Sequence, residues 1–198
     1  MIIGITGGTG SGKTTLLHNI RQLGGMILDC DEIYHRLLQT DSDMLSAIEG
    51  RFPGTVEGGQ LDRKKLGAIV FSDNGALQDL NRITHGAVKK EVLCKLKSAP
   101  KLAAIDAIGL FEGELAQLCD VTVAVTSPEA LRVQRLMARD GISEEYANSR
   151  IRAQHSDAWF QEKCDVTLEN DGTEAAFQEK CLAFLQTLGI MKENRKGE

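Results

Sequence analysis

The sequence contains no apolar run of the roughly 18 residues that a membrane-spanning helix requires. Its N-terminus carries neither a basic segment before the first apolar residues nor a cleavage site after them, so no signal peptide is expected. Close cysteine pairs are missing as well, because the five cysteines are widely spaced and no C-x-x-C occurs. Such spacing is typical of reduced thiols and disfavours a structural zinc site. We therefore expect a cytoplasmic protein with no membrane partner.

A basic excess, which a nucleic-acid surface would need, is also absent. The net charge is −5, so we expect no nucleic-acid partner, although a local cluster of Lys and Arg would still suffice to hold a phosphate group. Hydrophobic residues make up 42% and charged residues 26% of the 198 residues, which is an ordinary balance for a globular chain. We expect one compact unit, as a monomer or a weak homo-oligomer.

Five short apolar runs separated by helical patterns predict an α/β fold, with a five-stranded parallel sheet flanked by helices. The predicted strands are 2–6, 26–29, 102–106, 121–126 and 166–168. Helical patterns cover 13–23, 128–139, 143–154 and 173–188, and the polar tail 191–198 is expected to fray. The stretch 31–100 is far longer than a crossover between two strands needs, so we expect a helical insertion there.

The segment Gly7-Gly8-Thr9-Gly10-Ser11-Gly12-Lys13-Thr14 matches the P-loop pattern G-x-x-x-x-G-K-[ST], after a buried strand and before a helix. Glycines allow a tight turn in which several N–H groups point at one anion, and the following helix adds its positive end. Lys13 is expected to reach the β- and γ-phosphates, and the Thr14 hydroxyl to bind Mg²⁺. The residues predicted to bind ATP in this loop are Gly8, Thr9, Gly10, Ser11, Gly12, Lys13, Thr14 and Thr15.

A P-loop alone does not separate kinases from GTPases and other ATPases. A dinucleotide-binding G-x-G-x-x-G cannot be drawn through these glycines, and the N-K-x-D motif typical of GTPases is absent. A large ATPase would need a longer chain. A helical insertion directly after the second strand is typical of small-molecule kinases, in which it holds the acceptor. The sequence therefore favours transfer of the γ-phosphoryl group of ATP to a small acceptor.

Two carboxylates are expected at the carboxyl edge of the sheet, where ligands of open α/β sheets bind. Asp31 closely follows the second strand. It can orient an attacking hydroxyl and accept its proton, or it can cap a helix over 32–38. Asp106 ends the third strand and can hold Mg²⁺ through water, orient the acceptor or cap the strand end. Spacing alone leaves these alternatives open.

Successive blocks of the sequence resemble, in the same order, those of the bacterial dephospho-CoA kinase family. The first two are the segment from Ile5 to Thr14 and Leu28-Asp29-Cys30-Asp31-Glu32-Ile33. The others are Leu61-Asp62-Arg63-Lys64-Lys65-Leu66, Val70-Phe71, Ile83-Thr84-His85, Leu110-Phe111-Glu112, Arg135-Leu136-Met137-Ala138-Arg139-Asp140-Gly141, Arg150-Ile151-Arg152-Ala153-Gln154 and Asn170-Asp171-Gly172. The resemblance covers nearly the whole chain, and the blocks are specific in combination.

The resemblance implies ATP-dependent phosphorylation of the ribose 3′-hydroxyl of dephospho-CoA, the last step of coenzyme A synthesis, with Mg²⁺ as cofactor. It implies a P-loop kinase fold with a nucleotide-binding core, a helical acceptor domain and a helical lid. The core comprises 1–30, 101–131 and 160–190, the acceptor domain 31–100 and the lid 132–159. Asp31 is then the catalytic base, and the acceptor is expected to contact Asp31, Arg63, His85 and Asp106.

The resemblance also implies functional roles for residues that could instead have purely structural ones. Five arginines would neutralise charge on the transferring phosphoryl group, with Arg139 foremost, although a charged helix face is usually just solvated. These are Arg132, Arg135, Arg139, Arg150 and Arg152. Asn170 and Gly172 would lie beside the adenine or form a simple turn. His85 would contact the acceptor or serve as a polar residue at the end of a helix.

Two positions depart from the family pattern. Gly86 stands where the family commonly has Pro, and Asp106-Ala107-Ile108-Gly109-Leu110-Phe111-Glu112 replaces its usual Asp-x-Pro-Leu-Leu-Phe-Glu. Both are expected near the acceptor pocket, and they leave two rivals open. One is a kinase of another small alcohol, such as a nucleoside, and the other is a catalytically weak paralogue that binds CoA or ATP. Retention of Lys13, Thr14 and Asp31 favours an enzyme.

Overall fold

A parallel sheet organises the chain, of which the computed structural model describes residues 1–190. The strands are β1 (Ile2–Thr6), β2 (Met26–Asp29), β3 (Val56–Glu57), β4 (Gln60–Leu61), β5 (Ala103–Asp106), β6 (Val121–Thr126) and β7 (Val166–Glu169). Five of these strands form one parallel sheet in the order β2-β5-β1-β6-β7, and β3 pairs with β4 in a short antiparallel hairpin. The five-stranded parallel sheet predicted from the apolar runs is confirmed.

Helices connect the strands and cover the sheet. They are α1 (Lys13–Gln22), α2 (Cys30–Thr40), α3 (Ser42–Arg51), α4 (Arg63–Val70), α5 (Asn74–Leu96), α6 (Glu129–Asp140), α7 (Glu144–Arg152), α8 (Asp157–Lys163) and α9 (Glu174–Thr187), with one 3-10 turn at Ala116–Leu118. Helices α2 to α5 and the hairpin all lie between β2 and β5 in sequence, which is where the insertion was predicted. The predicted polar tail 191–198 lies outside the described residues.

Two local elements differ from the sequence prediction. The helix predicted over 143–154 ends at Arg152, and α8 follows because the Ser156 hydroxyl accepts the N–H of Trp159 at 3.2 Å and starts a new helix. No strands are predicted from the sequence within the insertion 31–100, but β3 and β4 lie there on either side of Gly58 and Gly59. Both glycines have positive φ, 58° and 79°, as a tight hairpin turn requires.

The sheet lies between two apolar layers. On one face, side chains of β1 and β6 pack against α1 and α9, with Ile3, Leu16 and Phe177 in that layer. On the other face, Ile105 packs with residues of α2 to α5, including Val92. Within residues 1–190, no helix combines the length and apolar character that crossing a membrane would require.

The order of the strands brings the predicted site residues to one edge. The strands β2, β5 and β1 are neighbours, and Asp29 pairs in register with Asp106, which in turn lies opposite Ile5. Because parallel strands end at the same edge, the end of β2, the end of β5 and the loop after β1 lie side by side. The following helices then surround this edge from both sides.

Candidate active site

The loop between β1 and α1 is tight, and glycine is required at several of its positions. Gly10 and Gly12 have φ values of 77° and 98°, which L-residues with side chains rarely adopt. A Cβ on Gly8 would lie 2.1 Å from Arg132 Nη2, and one on Gly12 would lie 2.2 Å from Asn170 Nδ2. The glycines of the P-loop motif therefore serve both backbone conformation and close packing.

Polar side chains from α6 and from the segment after β7 fix the direction of the peptide groups in this loop. They donate hydrogen bonds to three successive carbonyls: Arg132 Nε to Thr9 O at 2.9 Å, Arg135 Nη1 to Gly10 O at 3.2 Å and Asn170 Nδ2 to Ser11 O at 2.9 Å. In a trans peptide the C=O and N–H groups point in opposite directions. Holding the carbonyls of Thr9 and Ser11 outward therefore turns the N–H groups of Gly10 and Gly12 inward, where an anion can accept them.

The inner side of the loop faces a cavity of about 710 Å³. Helix α1 begins at Lys13, and its N-cap Gly12 provides no side-chain cap. The N–H of Thr15 donates to Gly12 O at 3.2 Å, whereas Lys13 and Thr14 line the cavity at the start of the helix. Lys13 Nζ folds back over the loop and donates to Gly7 O at 2.9 Å. Inward N–H groups, a helix N-terminus and a lysine together make an anion site with the shape of a phosphate cradle.

Two aspartates at the end of β2 have different tasks. The Asp29 carboxylate accepts the N–H of Glu32 at 3.0 Å and is the N-cap of α2, which begins at Cys30. The alternative that Asp31 caps a helix over 32–38 is therefore wrong. Asp31 lies instead in the first turn of α2, exposed, and lines the cavity. Its carboxylate remains available for a ligand.

Asp106 and Lys13 are ionisable side chains whose surroundings disfavour their charged forms. Burial, with a smaller contribution from the nearby carboxylates of Asp29 and Asp31, raises the pKa of Asp106 to about 6, although the attraction of Lys13 opposes the shift. Burial likewise lowers the pKa of Lys13, against the attraction of Asp106 and Asp31. Asp106 Oδ1 is buried and has no hydrogen-bond partner within residues 1–190, which leaves one carboxylate oxygen available to a ligand.

A second cavity of about 270 Å³ adjoins the first on the side of the insertion. The two cavities share three lining residues, Asp31, Ala107 and Ile108. The second cavity is closed by side chains from α2 and α5, including Tyr34 and His85. Asp31 thus stands at the junction between a phosphate-binding cavity and a smaller, separately walled one.

Two of the five predicted lid arginines support the loop. Arg132 is only 3% exposed, and its Nη1 pairs with Asp157 at 3.0 Å, in addition to its bond to the loop. Arg135 lines the first cavity while binding loop carbonyls and the Ser127 hydroxyl at 2.9 Å. Simple solvation, the plain alternative for this helix face, is wrong for Arg132.

The other three arginines remain nearer to solvent. Arg139 and Arg150 both line the first cavity and both bind Asp140, each with a closest N–O distance of 2.7 Å. These bonds lower the pKa of the Asp140 carboxyl to about 2, so Asp140 is the counterion of both groups. Arg152 is exposed and is not among the described residues that line the cavity.

Several other predicted site residues lie away from the first cavity. Asn170 is buried behind the phosphate loop, and neither it nor Gly172 is among the described residues that line the cavity. Arg63 lines neither cavity among the described residues, but it is close enough to Tyr34 to oppose the rise in pKa that burial causes there. His85 lies in the middle of α5, so its alternative role at a helix end is wrong.

Two residues of the site, Tyr34 and Gln154, were not predicted from the sequence. Tyr34 follows Asp31 by three positions on α2, and this helical spacing would have placed both on one face. Gln154, whose Oε1 accepts the N–H of Thr9 at 2.8 Å, carried no signal beyond its membership of a resembling block. Its contact joins residues 145 positions apart, which local patterns cannot reveal.

Comparisons with known proteins agree with this geometry. A family model described as dephospho-CoA kinase matches residues 1–176. The chain is 34% identical over 192 residues to the dephospho-CoA kinase of Geobacillus kaustophilus, covering 94% of this chain and 96% of that one. It is 37% identical over 191 residues to the dephospho-CoA kinase of Carboxydothermus hydrogenoformans, covering 93% of each.

Solved structures give the same result. The structure resembles a Thermus thermophilus protein with a TM-score of 0.81 and 32% identity, covering 95% of this chain and 97% of that one. It resembles the dephospho-CoA kinase of Campylobacter jejuni with a TM-score of 0.68 and 25% identity, covering 96% and 98% of the two chains. A shikimate kinase of Acinetobacter baumannii, at 19% identity and a TM-score of 0.52, shares the fold. By its match to the family model and to these relatives, the chain belongs to the dephospho-CoA kinase family.

Proposed function

We propose that this protein transfers the γ-phosphoryl group of ATP to the ribose 3′-hydroxyl of dephospho-CoA, giving coenzyme A and ADP. The observation that carries the proposal is the position of Asp31. Its carboxylate lies at the junction of a cavity walled by the phosphate loop and a second cavity walled by the insertion. A phosphoryl donor on one side and an alcohol on the other would meet at this side chain.

The phosphate loop supports ATP as the donor. In the proposed complex, the inward N–H groups of Gly10 and Gly12 and the first turn of α1 bind the phosphates, and Lys13 neutralises charge on the β- and γ-phosphates. Asn170 supports the loop by donating a hydrogen bond to Ser11 O. The position of Gly172 beside the adenine remains a prediction. The energetic contribution of the loop is electrostatic, because little covalent chemistry is left to the protein.

Two oxygen donors on the walls of the first cavity fit Mg²⁺. The Thr14 side chain extends from the first turn of α1, and Asp106 offers its unpartnered Oδ1 at the end of β5. Hard oxygen ligands of this kind, with phosphate oxygens and water completing the set, suit Mg²⁺. Mg²⁺ bound there would supply positive charge to the β- and γ-phosphate oxygens and satisfy the Asp106 carboxylate.

Asp31 acts as the general base in this proposal. It is exposed to the cavities, and the capping task in this helix belongs to Asp29, so its carboxylate is free to accept the proton of the acceptor hydroxyl. The 270 Å³ cavity next to it has the size to take a nucleoside part of the acceptor, with Tyr34 and His85 in its walls. Arg63, beside Tyr34, remains a proposed contact of the acceptor outside this cavity.

The proposed lid segment 132–159 contains most of α6 and all of α7. Arg139 and Arg150 reach the first cavity and are paired with Asp140 in the described structure. A transferring phosphoryl group would compete with Asp140 for these guanidinium groups, and Arg139 is the proposed contact. Closure would exclude water, which would otherwise take the phosphoryl group from ATP. The cytoplasmic location, the monomeric or weakly associated state and the absence of nucleic-acid and membrane partners stay predictions.

A coupled ADP-release assay tests the proposed function. With ATP, Mg²⁺ and dephospho-CoA, we expect saturable ADP release and formation of coenzyme A in equal amounts. Adenosine and pantetheine, each representing one part of the acceptor, serve as controls and should react far more slowly. Turnover with adenosine at the rate of dephospho-CoA would instead identify a nucleoside kinase, and ATP binding without transfer to any acceptor would identify a binding protein.

A further inference from the structure

The peptide between Gly8 and Thr9 is fixed at both of its ends. Its carbonyl, Gly8 O, accepts the N–H of Ser11 at 3.2 Å, which closes the loop on itself. Its N–H, that of Thr9, donates to Gln154 Oε1 at 2.8 Å. The next peptide is held through Thr9 O by Arg132. Two successive peptides of the phosphate loop are therefore held by side chains from the region of α6 to α8.

Gln154 is placed to connect the proposed lid with the phosphate loop. It lies just beyond α7, half-buried, and its own backbone N–H donates to Ile151 O at 3.1 Å, so it is fixed to the end of that helix. It also lines the 710 Å³ cavity together with Arg139 and Arg150. A single amide side chain thus joins the second helix of the lid to the third residue of the phosphate loop.

We propose that Gln154 is a positioning residue for phosphoryl transfer, which fixes the Thr9 N–H through its Oε1 and so keeps the next N–H, that of Gly10, directed at the phosphates. Gly8 lacks a Cβ, so without the bond to Gln154 the peptide between Gly8 and Thr9 is held only by the bond from the Ser11 N–H to Gly8 O and can tilt more easily. Gln154 acts through Thr9 and not by contact with the reacting atoms. The kinetic part of this role rests on the proposed function, whereas the bond to Thr9 does not.

Three variants separate the acceptor oxygen from packing and charge. Gln154→Met keeps the length of the side chain and removes the oxygen. Gln154→Glu keeps an oxygen for the Thr9 N–H but adds a negative charge facing the triphosphate. Gln161→Met makes the same exchange of side chains at an exposed position on α8 and is the matched control.

We expect Gln154→Met to lower kcat by about 5- to 30-fold, the range of one hydrogen bond that orients a charged site. The amide hydrogen of Thr9, followed by nuclear magnetic resonance, should exchange at least about tenfold faster in this variant. Gln154→Glu should keep kcat within about threefold of the unmodified protein, and the Thr9 amide hydrogen should still exchange slowly. Its KM for ATP should rise. Gln161→Met should match the unmodified protein in all three measurements.

Two results would overturn this role. One is a Gln154→Met variant with unchanged Thr9 exchange and kcat, and the other is a Gln154→Glu variant that loses kcat as fully as Gln154→Met. Thr9 exchange and calorimetric ATP affinity require no acceptor. If the unmodified protein failed to phosphorylate dephospho-CoA, the proposed function would fall, while these two measurements would still decide whether Gln154 positions the loop.

Discussion

Asp106→Asn is expected to stabilise the ligand-free protein at neutral pH while removing activity. In the folded chain, burial raises the pKa of the Asp106 carboxyl from its ordinary 3.8 to about 6, a net value that includes the repulsion of Asp29 and Asp31 and the attraction of Lys13. At pH 7 the group is still mostly ionised, with its buried Oδ1 lacking a hydrogen-bond partner among residues 1–190. The fold therefore holds a charge at a position that disfavours it.

The sign and size of the effect follow from the two pKa values. As pH rises from about 4 to 6, the unfolded chain releases this proton before the folded chain does, so folding stability falls across that window and stays low above it. A pKa difference of this size corresponds to roughly 3 kcal/mol at neutral pH. The folded pKa already includes the attraction of Lys13, but Asn leaves a polar amide buried at the same position, which offsets part of the gain. We expect a net increase of about 1–2 kcal/mol in the free energy of unfolding at pH 7, and little change at pH 4.

Urea denaturation without nucleotide or Mg²⁺, at pH 7 and pH 4, measures this difference. Asp165→Asn is the control of opposite sign, because the N–H and hydroxyl of Thr122 lower the pKa of the Asp165 carboxyl and its ionised form stabilises the fold. That variant should be less stable than the unmodified protein at pH 7. An Asp106→Asn variant that is less stable at pH 7, or equally more stable at both pH values, would refute the reasoning. In the activity assay, we expect the turnover of Asp106→Asn to fall at least tenfold.

Three further changes test separate parts of the structure. Lys13→Ala should abolish turnover, because it removes the charge that faces the β- and γ-phosphates, and a near-normal rate would contradict the phosphate site. Asp31→Asn should lower turnover by at least about a hundredfold with unchanged calorimetric ATP affinity, since the base is lost and the loop is not. A rate within a few fold would refute Asp31 as the base. Gly86→Ala should raise the free energy of unfolding in urea by roughly 0.5–1 kcal/mol, because Gly86 lies inside α5 and an added Cβ meets no described atom within 4 Å. A loss of stability would mean that this surface is not open.

The sheet and the phosphate loop could be predicted because their signals are local. The strands are short segments rich in apolar residues, and the residues from Gly7 to Thr14 are consecutive, so the motif and its flanking strand and helix are read together. The position of Asp106 at the carboxyl edge followed from the same reasoning, since it ends a predicted strand. The order of strands in the sheet was not predicted, because it depends on pairing between distant segments.

The division of tasks within the site could not be predicted in the same way. Asp29 and Asp31 are both suitable residues for the start of a helix, and the backbone turn after β2 decides that Asp29 is the cap. Arg132 and Asn170 contact the phosphate loop across 123 and 159 positions of sequence. Their pattern on a helix or in a turn looks the same whether they face solvent or a carbonyl group.

The electrostatics of the ligand-free site explain why it should bind its ligands tightly. Burial opposes the positive charge of Lys13 and the negative charge of Asp106, so both groups are less stable as ions here than in water. Phosphate oxygens beside Lys13 and a divalent cation beside Asp106 would each favour the charged form that burial disfavours. Binding of the metal–nucleotide complex should therefore recover free energy that folding gave up at this edge of the sheet. On this reasoning Asp106→Asn, although more stable alone, should gain less stability from MgATP than the unmodified protein does.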